Sequence, residues 1–167
     1  DGKVDIAAIT GSSINIYYNT STIGKITFTG SSTLAIGGGD LTAGDLNDDG
    51  IPELIRAFGT SLDVITNTST PGKPSFGPLT SFKPNSAAAI VRAADMDQDG
   101  FLDIIVGSQT QTIIEIFRNA YGGDGKIALD EPIEFNTGAG SSSYGDFFDL
   151  GDINGDKLPD IAVPSVT

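Results

Sequence analysis

Three short segments of the sequence carry side-chain oxygens at fixed, alternating positions. Residues 45–53 read Asp-Leu-Asn-Asp-Asp-Gly-Ile-Pro-Glu, and residues 95–103 and 152–160 follow the same pattern. We call these segments loops 1, 2 and 3; an acid or an amide recurs at the first, third, fifth and ninth position of each. Alternate residues of a tight loop can turn their oxygens onto one point, as a hard cation such as calcium requires. The spacing therefore predicts a cation site in each loop.

The predicted ligands follow from these positions. Calcium takes about six to eight oxygens, and by analogy with other calcium loops the seventh residue adds its backbone carbonyl, which leaves its side chain free to face the core. The three complete sites are Asp45, Asn47, Asp49, Ile51 and Glu53; Asp95, Asp97, Asp99, Phe101 and Asp103; and Asp152, Asn154, Asp156, Leu158 and Asp160. The chain opens on the second half of the same pattern, so Asp1, Lys3 and Asp5 predict a partial fourth site.

Other metals and other loop types fit less well. Zinc and copper favour nitrogen or sulfur ligands, whereas the chain contains no histidine and no cysteine. Magnesium stays open but prefers fewer protein oxygens. An EF-hand needs flanking helices and a glutamate at its twelfth position, which here is Arg56, Val106 or Val163. A single cluster of this kind is usually a solvated turn, so the prediction depends on its recurrence in register.

The elements that must position the loops are strands. Each complete loop, and the partial loop at the start of the chain, runs into a short apolar stretch. In all but loop 3, a second stretch follows that ends at Asn19, Asn67 or Asn119, and then two more strand-like segments. In the first repeat we expect these last two at 25–28 and 34–36. The stretches are rich in β-branched residues and bounded by turn formers, and no window has the 3.6-residue apolar period of a helix. Four short strands per repeat are typical of a propeller blade.

The repeats predict one all-β array over residues 1–167, divided at about 1–44, 45–94 and 95–151, with 152–167 beginning a further repeat. This corresponds to about three four-stranded antiparallel blades. A formal net charge of -13 argues against nucleic acid and against anionic membrane surfaces. No apolar run is long enough for a membrane span. Because the chain has no His or Cys and most of its acids lie in the loops, we expect no enzyme activity. Glu115 and Glu134 are isolated acids in segments that we predict to be strands.

The loops and the strands that follow them resemble the FG-GAP repeat, which is also called integrin-α-like or VCBS-like. The closest stretches are residues 151–165 and 100–108. The resemblance implies propeller blades whose Asp-rich loops bind calcium through the residues given above. Glu53 departs from the usual aspartate, and Lys157 replaces the loop glycine. Because a side chain in a left-handed turn costs about 1 kcal/mol, and because Lys157 is itself a cation, we expect loop 3 to be the weakest complete site.

The resemblance covers the chain but leaves its assembly open. Propellers have four to eight blades, so the three repeats are either part of a longer propeller, one copy in a closed oligomer, or a filament subunit. The favoured function is an extracellular structural or adhesion module, stiffened by calcium and working through other copies of itself or other proteins. A lectin-type propeller and an accessory domain of a secreted enzyme are the alternatives. Asn19 and Asn67 lie in N-glycosylation sequons, which predict glycans on one rim.

Overall fold

The computed structural model describes residues 2–71, 73–108, 110–138 and 148–164. Every regular element in these ranges is a β-strand, which confirms the all-β prediction. Within the same ranges, no helix is long and apolar enough to cross a bilayer.

The strands form four antiparallel sheets that follow one another along the chain. Sheet I contains β1 (Ile6–Thr10), β2 (Ser13–Asn19) and β3 (Phe28–Leu34); sheet II contains β4 (Asp40–Gly44), β5 (Glu53–Phe58), β6 (Ser61–Asn67) and β7 (Phe76–Phe82); sheet III contains β8 (Ala88–Ala94), β9 (Asp103–Ser108), β10 (Ile113–Phe117) and β11 (Ile133–Asn136); and sheet IV contains β12 (Asp149–Gly151) and β13 (Asp160–Ala162). Sheets II and III are complete four-stranded meanders, as predicted for blades. Each begins one strand before its loop, so sheets and sequence repeats are offset by one strand.

The apolar core lies between neighbouring sheets. Successive residues of a strand point to opposite faces, and β5 uses both faces: Leu54 packs with residues of sheet I, whereas Ile55 packs with residues of sheet III. In β9, Ile104 joins the core shared with sheet II, and Ile105 joins the core shared with sheet IV. Strands buried on both sides need continuous apolar runs. The sheets therefore stack face to face, as the blades of a propeller do.

The predicted bounds of the third and fourth strands in the first repeat are wrong. β3 runs over Phe28–Leu34 and overlaps the expected strand 25–28 only at its first residue, and β4 begins at Asp40 rather than near residue 34. The chain between them passes against neighbouring backbone: a Cβ at Gly37 would lie 2.3 Å from the Gly11 carbonyl oxygen, and one at Gly39 would lie 2.0 Å from that of Ala57. Only glycine fits this turn, which postpones the next strand.

Sheet II contains a buried ion pair between two adjacent strands. Arg56 on β5 lies opposite Asp63 on β6 and donates to its carboxylate through Nε at 3.0 Å and through a second guanidinium nitrogen. Ser61 and Ser81 donate to the other carboxylate oxygen at 2.5 and 2.7 Å. Burial alone would raise the pKa of Asp63, but the hydrogen bonds from Ser61, Ser81 and Arg56 outweigh it and hold the pKa below its ordinary value. The carboxylate is therefore stable as the anion.

Candidate metal centre

The three loops occupy equivalent places in three neighbouring sheets. Loop 1 connects β4 to β5, loop 2 connects β8 to β9, and loop 3 connects β12 to β13. Gln98 of loop 2 donates through Nε2 to the Lys157 carbonyl of loop 3 at 3.1 Å. Asn119, which follows β10, donates through Nδ2 to the Leu46 carbonyl of loop 1 at 2.9 Å. The loops therefore form a contiguous row at one end of the stacked sheets.

The same internal hydrogen bonds fold each loop. The first acid accepts from the backbone N–H groups of the fifth and sixth residues, at 3.2 and 2.8 Å for Asp45, 3.2 and 3.0 Å for Asp95, and 3.1 and 2.9 Å for Asp152. The fifth acid accepts from the N–H of the seventh residue, at 2.8 Å for Asp49, 3.0 Å for Asp99 and 2.8 Å for Asp156. Short polar side chains that bind nearby backbone amides favour turns over strands. The acids thus fold the loop and also gather their own oxygens inside it.

Two residues of every loop have left-handed backbone, and each loop supplies one glycine for them. The fourth and sixth positions are Asp48 and Gly50 in loop 1, with φ of 55° and 82°, and Gln98 and Gly100 in loop 2, with φ of 60° and 93°. In loop 3 the order is reversed, with Gly155 at 86° and Lys157 at 73°. Backbone strain thus falls on one non-glycine residue in each loop, so it no longer singles out loop 3. Only the positive charge of Lys157 still supports the prediction that loop 3 is weakest.

The ninth acid has a structural role that its spacing did not reveal. Glu53 is fully buried, and its Oε2 accepts from the Leu46 N–H at 2.9 Å. In loop 2, Asp103 accepts from the Met96 N–H at 2.9 Å and from the Asn119 N–H at 2.8 Å. Burial raises the pKa of both Glu53 and Asp103, with a further contribution from the neighbouring loop acids. These carboxylates tie the loop to the following strands, and a nearby cation would stabilise their charge.

An asparagine at or just beyond the end of the second strand completes this tie after loop 1, after loop 2 and after the partial loop at the start of the chain. Asn67 donates through Nδ2 to the Pro52 carbonyl at 2.9 Å and accepts through Oδ1 from the Ser69 N–H at 3.1 Å. Asn19 makes the equivalent bonds to Val4 and Ser21 at 2.8 and 2.9 Å. The recurrence of asparagine at this place was visible in the sequence, but its role was not. Glycosylation of Asn19 and Asn67 stays a prediction, because the structure gives both side chains a role that requires no glycan.

Replacing Asn67 by alanine in protein made without glycans is expected to lower the free energy of unfolding by about 2 kcal/mol, because the Pro52 carbonyl and the Ser69 N–H lose their partner. Ser69→Ala is the matched control: it destroys the sequon and removes the exposed hydrogen bonds of the Ser69 hydroxyl to Ser75, but it keeps the asparagine, so its loss should be less than half as large. Urea unfolding of the two variants measures the difference. Equal losses, or no loss for Asn67→Ala, would show that the asparagine is not a structural tie.

The structure brings together three of the predicted ligands of loop 2 as carboxylates. One oxygen from each of Asp95, Asp97 and Asp99 lies within 4.8 Å of the others, the only such group of acids in the described residues. Asp103 falls outside it. Loops 1 and 3 have an asparagine at the third position, so fewer acids meet there. Loop 2 also differs in having a cation beside it: Arg118 donates to Asp97 at 2.7 Å.

The seventh residues contribute less to the core than expected. Ile51 and Phe101 are only half-buried, and Leu158 is 38 % exposed. Phe101 packs edge-on against Tyr121, with the ring centroids 5.0 Å apart. Their side chains therefore do not belong to the intersheet core.

The structure describes the partial fourth site except for its first residue. Asp1 lies outside the described residues. Gly2 has the left-handed φ of 80° that the sixth position requires, and Asp5 accepts from the Asn19 N–H at 2.8 Å, as Glu53 and Asp103 do from their asparagines. Lys3, the seventh residue, donates through its ammonium group to the Ser21 carbonyl at 3.0 Å. The second half of this loop thus matches the complete loops.

The donor set of all three loops fits calcium. The side-chain oxygens at the first, third, fifth and ninth positions are carboxylates and amides, and calcium prefers such oxygens. In loop 2 the carboxylates already converge within 4.8 Å. The contacts of Arg118 and of the asparagines could not be predicted from the sequence, because these residues meet the loops only after the chain has folded.

Comparison with known families agrees with this geometry. The family model for the FG-GAP-like repeat matches residues 1–56, 45–106 and 95–163, which together span most of the chain. The chain therefore belongs to the FG-GAP-like repeat family, and its stacked four-stranded sheets are those of a propeller-like interaction module. Comparisons with curated proteins and with solved structures returned no match.

Proposed function

We propose that this chain is an extracellular protein-interaction module whose β-sheets are stiffened by calcium ions in loops 1, 2 and 3. The observation that carries the proposal is the threefold recurrence of one hydrogen-bonded loop, with its acids turned inward, at the same end of adjacent sheets. FG-GAP-like repeats are typical of extracellular proteins. Calcium is the ion that suits an all-oxygen loop of this kind.

The electrostatics of the loops support a cation there. Without one, the carboxylates of Asp95, Asp97 and Asp99 lie within 4.8 Å of one another and repel. Glu53 has a raised pKa because of its burial and, to a lesser extent, because of the charges of Asp49 and Asp45. A divalent ion would offset this repulsion and hold the two strands that flank each loop in place.

The proposed partners are strands that complete the outer sheets. In sheets II and III, β5 and β9 each have a neighbour on both sides, whereas their counterparts β1 and β13 are paired on one side within the described residues. An open strand edge offers backbone donors and acceptors to another chain. We propose that these edges pair with further repeats of a longer chain or with other copies of this one.

A non-catalytic role accords with the contacts of the two isolated acids. Glu115 is fully buried and accepts from the backbone N–H groups of Asn85 and Ser86 at 2.8 and 2.9 Å. Glu134, opposite it on β11, accepts from the Asn85 side chain at 2.7 Å. Both therefore hold the turn before β8, a structural function.

Calorimetric titration of chelator-treated protein with calcium tests the proposal. We expect saturable calcium binding and markedly weaker binding of magnesium, which loses its water reluctantly and demands a tighter octahedral site. A matched titration in 1 M NaCl separates coordination from simple charge attraction, because salt screens exposed charges. Equal, salt-sensitive binding of both ions, or no binding, would overturn the proposal.

A further inference from the structure

At the predicted ligand positions, loop 2 carries one more acid than loops 1 and 3, and one cation pairs with that acid. Its third position is Asp97, where loops 1 and 3 have Asn47 and Asn154. Arg118 donates to Asp97 Oδ2 through Nε at 2.7 Å and to Asp99 Oδ2 through a terminal nitrogen at 2.6 Å. Its other terminal nitrogen lies 3.7 Å from Asp130. The guanidinium therefore bridges two predicted calcium ligands.

The residue that precedes the structural asparagine differs among the repeats. In the third repeat it is Arg118, whereas in the second it is Thr66 and in the first Tyr18. Among the described residues, no arginine or lysine pairs with an acid of loop 1. The extra acid and the cation thus occur together in the same repeat.

Arg118 donates to the carboxylate oxygens that an ion would need as ligands. Within loop 2, Asp97 and Asp99 use their Oδ1 atoms to accept backbone N–H groups at 3.2 and 3.0 Å. Their Oδ2 atoms remain for a cation, and Arg118 takes both. The hydrogen bond to Arg118 also holds the pKa of Asp97 below its ordinary value.

We infer that Arg118 is a built-in counter-ion that sets the calcium affinity of loop 2. It neutralises the additional carboxylate of Asp97 while the loop is empty, and calcium must displace it or share the two aspartates with it. Loop 2 therefore stays ordered at low calcium and binds the ion less tightly than its four acids alone would allow. This inference rests on the proposed calcium function.

The test is a calcium titration of isotopically labelled protein followed by amide NMR. The Gly50 and Gly100 amides each donate to the first acid of their own loop, so one sample reports on loops 1 and 2 separately. Arg118→Thr gives the third repeat the threonine that the second repeat has at the equivalent place, Thr66. Removing a unit charge about 5 Å from a divalent ion in water should raise affinity at Gly100 about tenfold. Affinity at Gly50 should not change.

Two further measurements test the roles of Asp97 and Arg118. The double variant Asp97→Asn, Arg118→Thr gives loop 2 the equivalents of Asn47 and Thr66, the pair found at loop 1. Its calcium affinity measured at Gly100 should approach the affinity measured at Gly50. In chelator, the Gly100 amide of Arg118→Thr should exchange its hydrogen faster than in the wild type, because the empty loop loses its hydrogen bonds to Arg118. Unchanged or weaker binding at Gly100 in Arg118→Thr, with Gly50 still responding, overturns the inference alone. No response of either amide in any variant overturns the calcium function itself.

Discussion

Removal of calcium by a chelator is expected to lower the free energy of unfolding by about 8 kcal/mol. A ligand that binds only the folded state contributes about 2.7 kcal/mol at a free concentration one hundred times its dissociation constant, and the chain has three complete loops. The effect should be large because the loops connect the first two strands of three adjacent sheets. Loss of the ions would weaken all of these sheets together.

Urea unfolding in millimolar calcium and in excess chelator measures this difference. Magnesium at the same concentration, and sodium chloride at the same ionic strength, serve as controls for general charge screening. We expect neither to restore the stability that calcium provides. Identical midpoints in calcium and in chelator would contradict a stabilising role for the ion.

Replacing Asp63 by asparagine is expected to cost about 3–5 kcal/mol, the usual range when one partner of a buried ion pair is removed. Asp63 is 2 % exposed and is the acceptor for Arg56, Ser61 and Ser81. Asparagine keeps the shape but leaves the guanidinium charge without an anion. Ser81→Ala is the matched control, since it removes one of these donors and should cost about 1 kcal/mol.

The pH dependence gives the Asp63 prediction a second test. The pKa of Asp63 is lowered in the folded state, so its stabilising contribution is present above the unfolded value and is lost as pH falls through the folded one. The stability difference between the wild type and Asp63→Asn should therefore be constant from pH 7 to 5 and shrink below about pH 4. A difference that is small at pH 7, or that grows in acid, would contradict the assigned network.

Sequence reasoning located the loops because their chemistry is local. Acids at alternate positions fold onto their own backbone within nine residues, and the same hydrogen bond recurs at Asp45, Asp95 and Asp152. The strand class was also predictable, since runs such as Ile104–Val106 with turn formers at both ends favour β-structure. The left-handed backbone at the fourth position could not be predicted, because Asp48 and Gln98 do not indicate a positive φ as a glycine would.

The parts that could not be predicted depend on contacts distant in sequence. The buried tie between Asp103 and Asn119 joins the start of β9 to a residue that follows β10, and the pair of Arg118 with Asp97 appears only when β10 lies beside the loop. Likewise, the delayed start of β4 is set by the approach of Gly39 to the Ala57 carbonyl. Spacing along the chain contains no information about such approaches until the sheet register is known.

Counting bound ions by native mass spectrometry tests the central claim most directly. The protein should carry three calcium ions, and Asp45→Ala, Asp95→Ala and Asp152→Ala should each carry two. Asp124→Ala removes an exposed acid that pairs with Lys126 outside the loops, and it should still carry three. A wild-type protein that binds no calcium, or loop variants that keep the full count, would contradict the assignment of the loops as calcium sites.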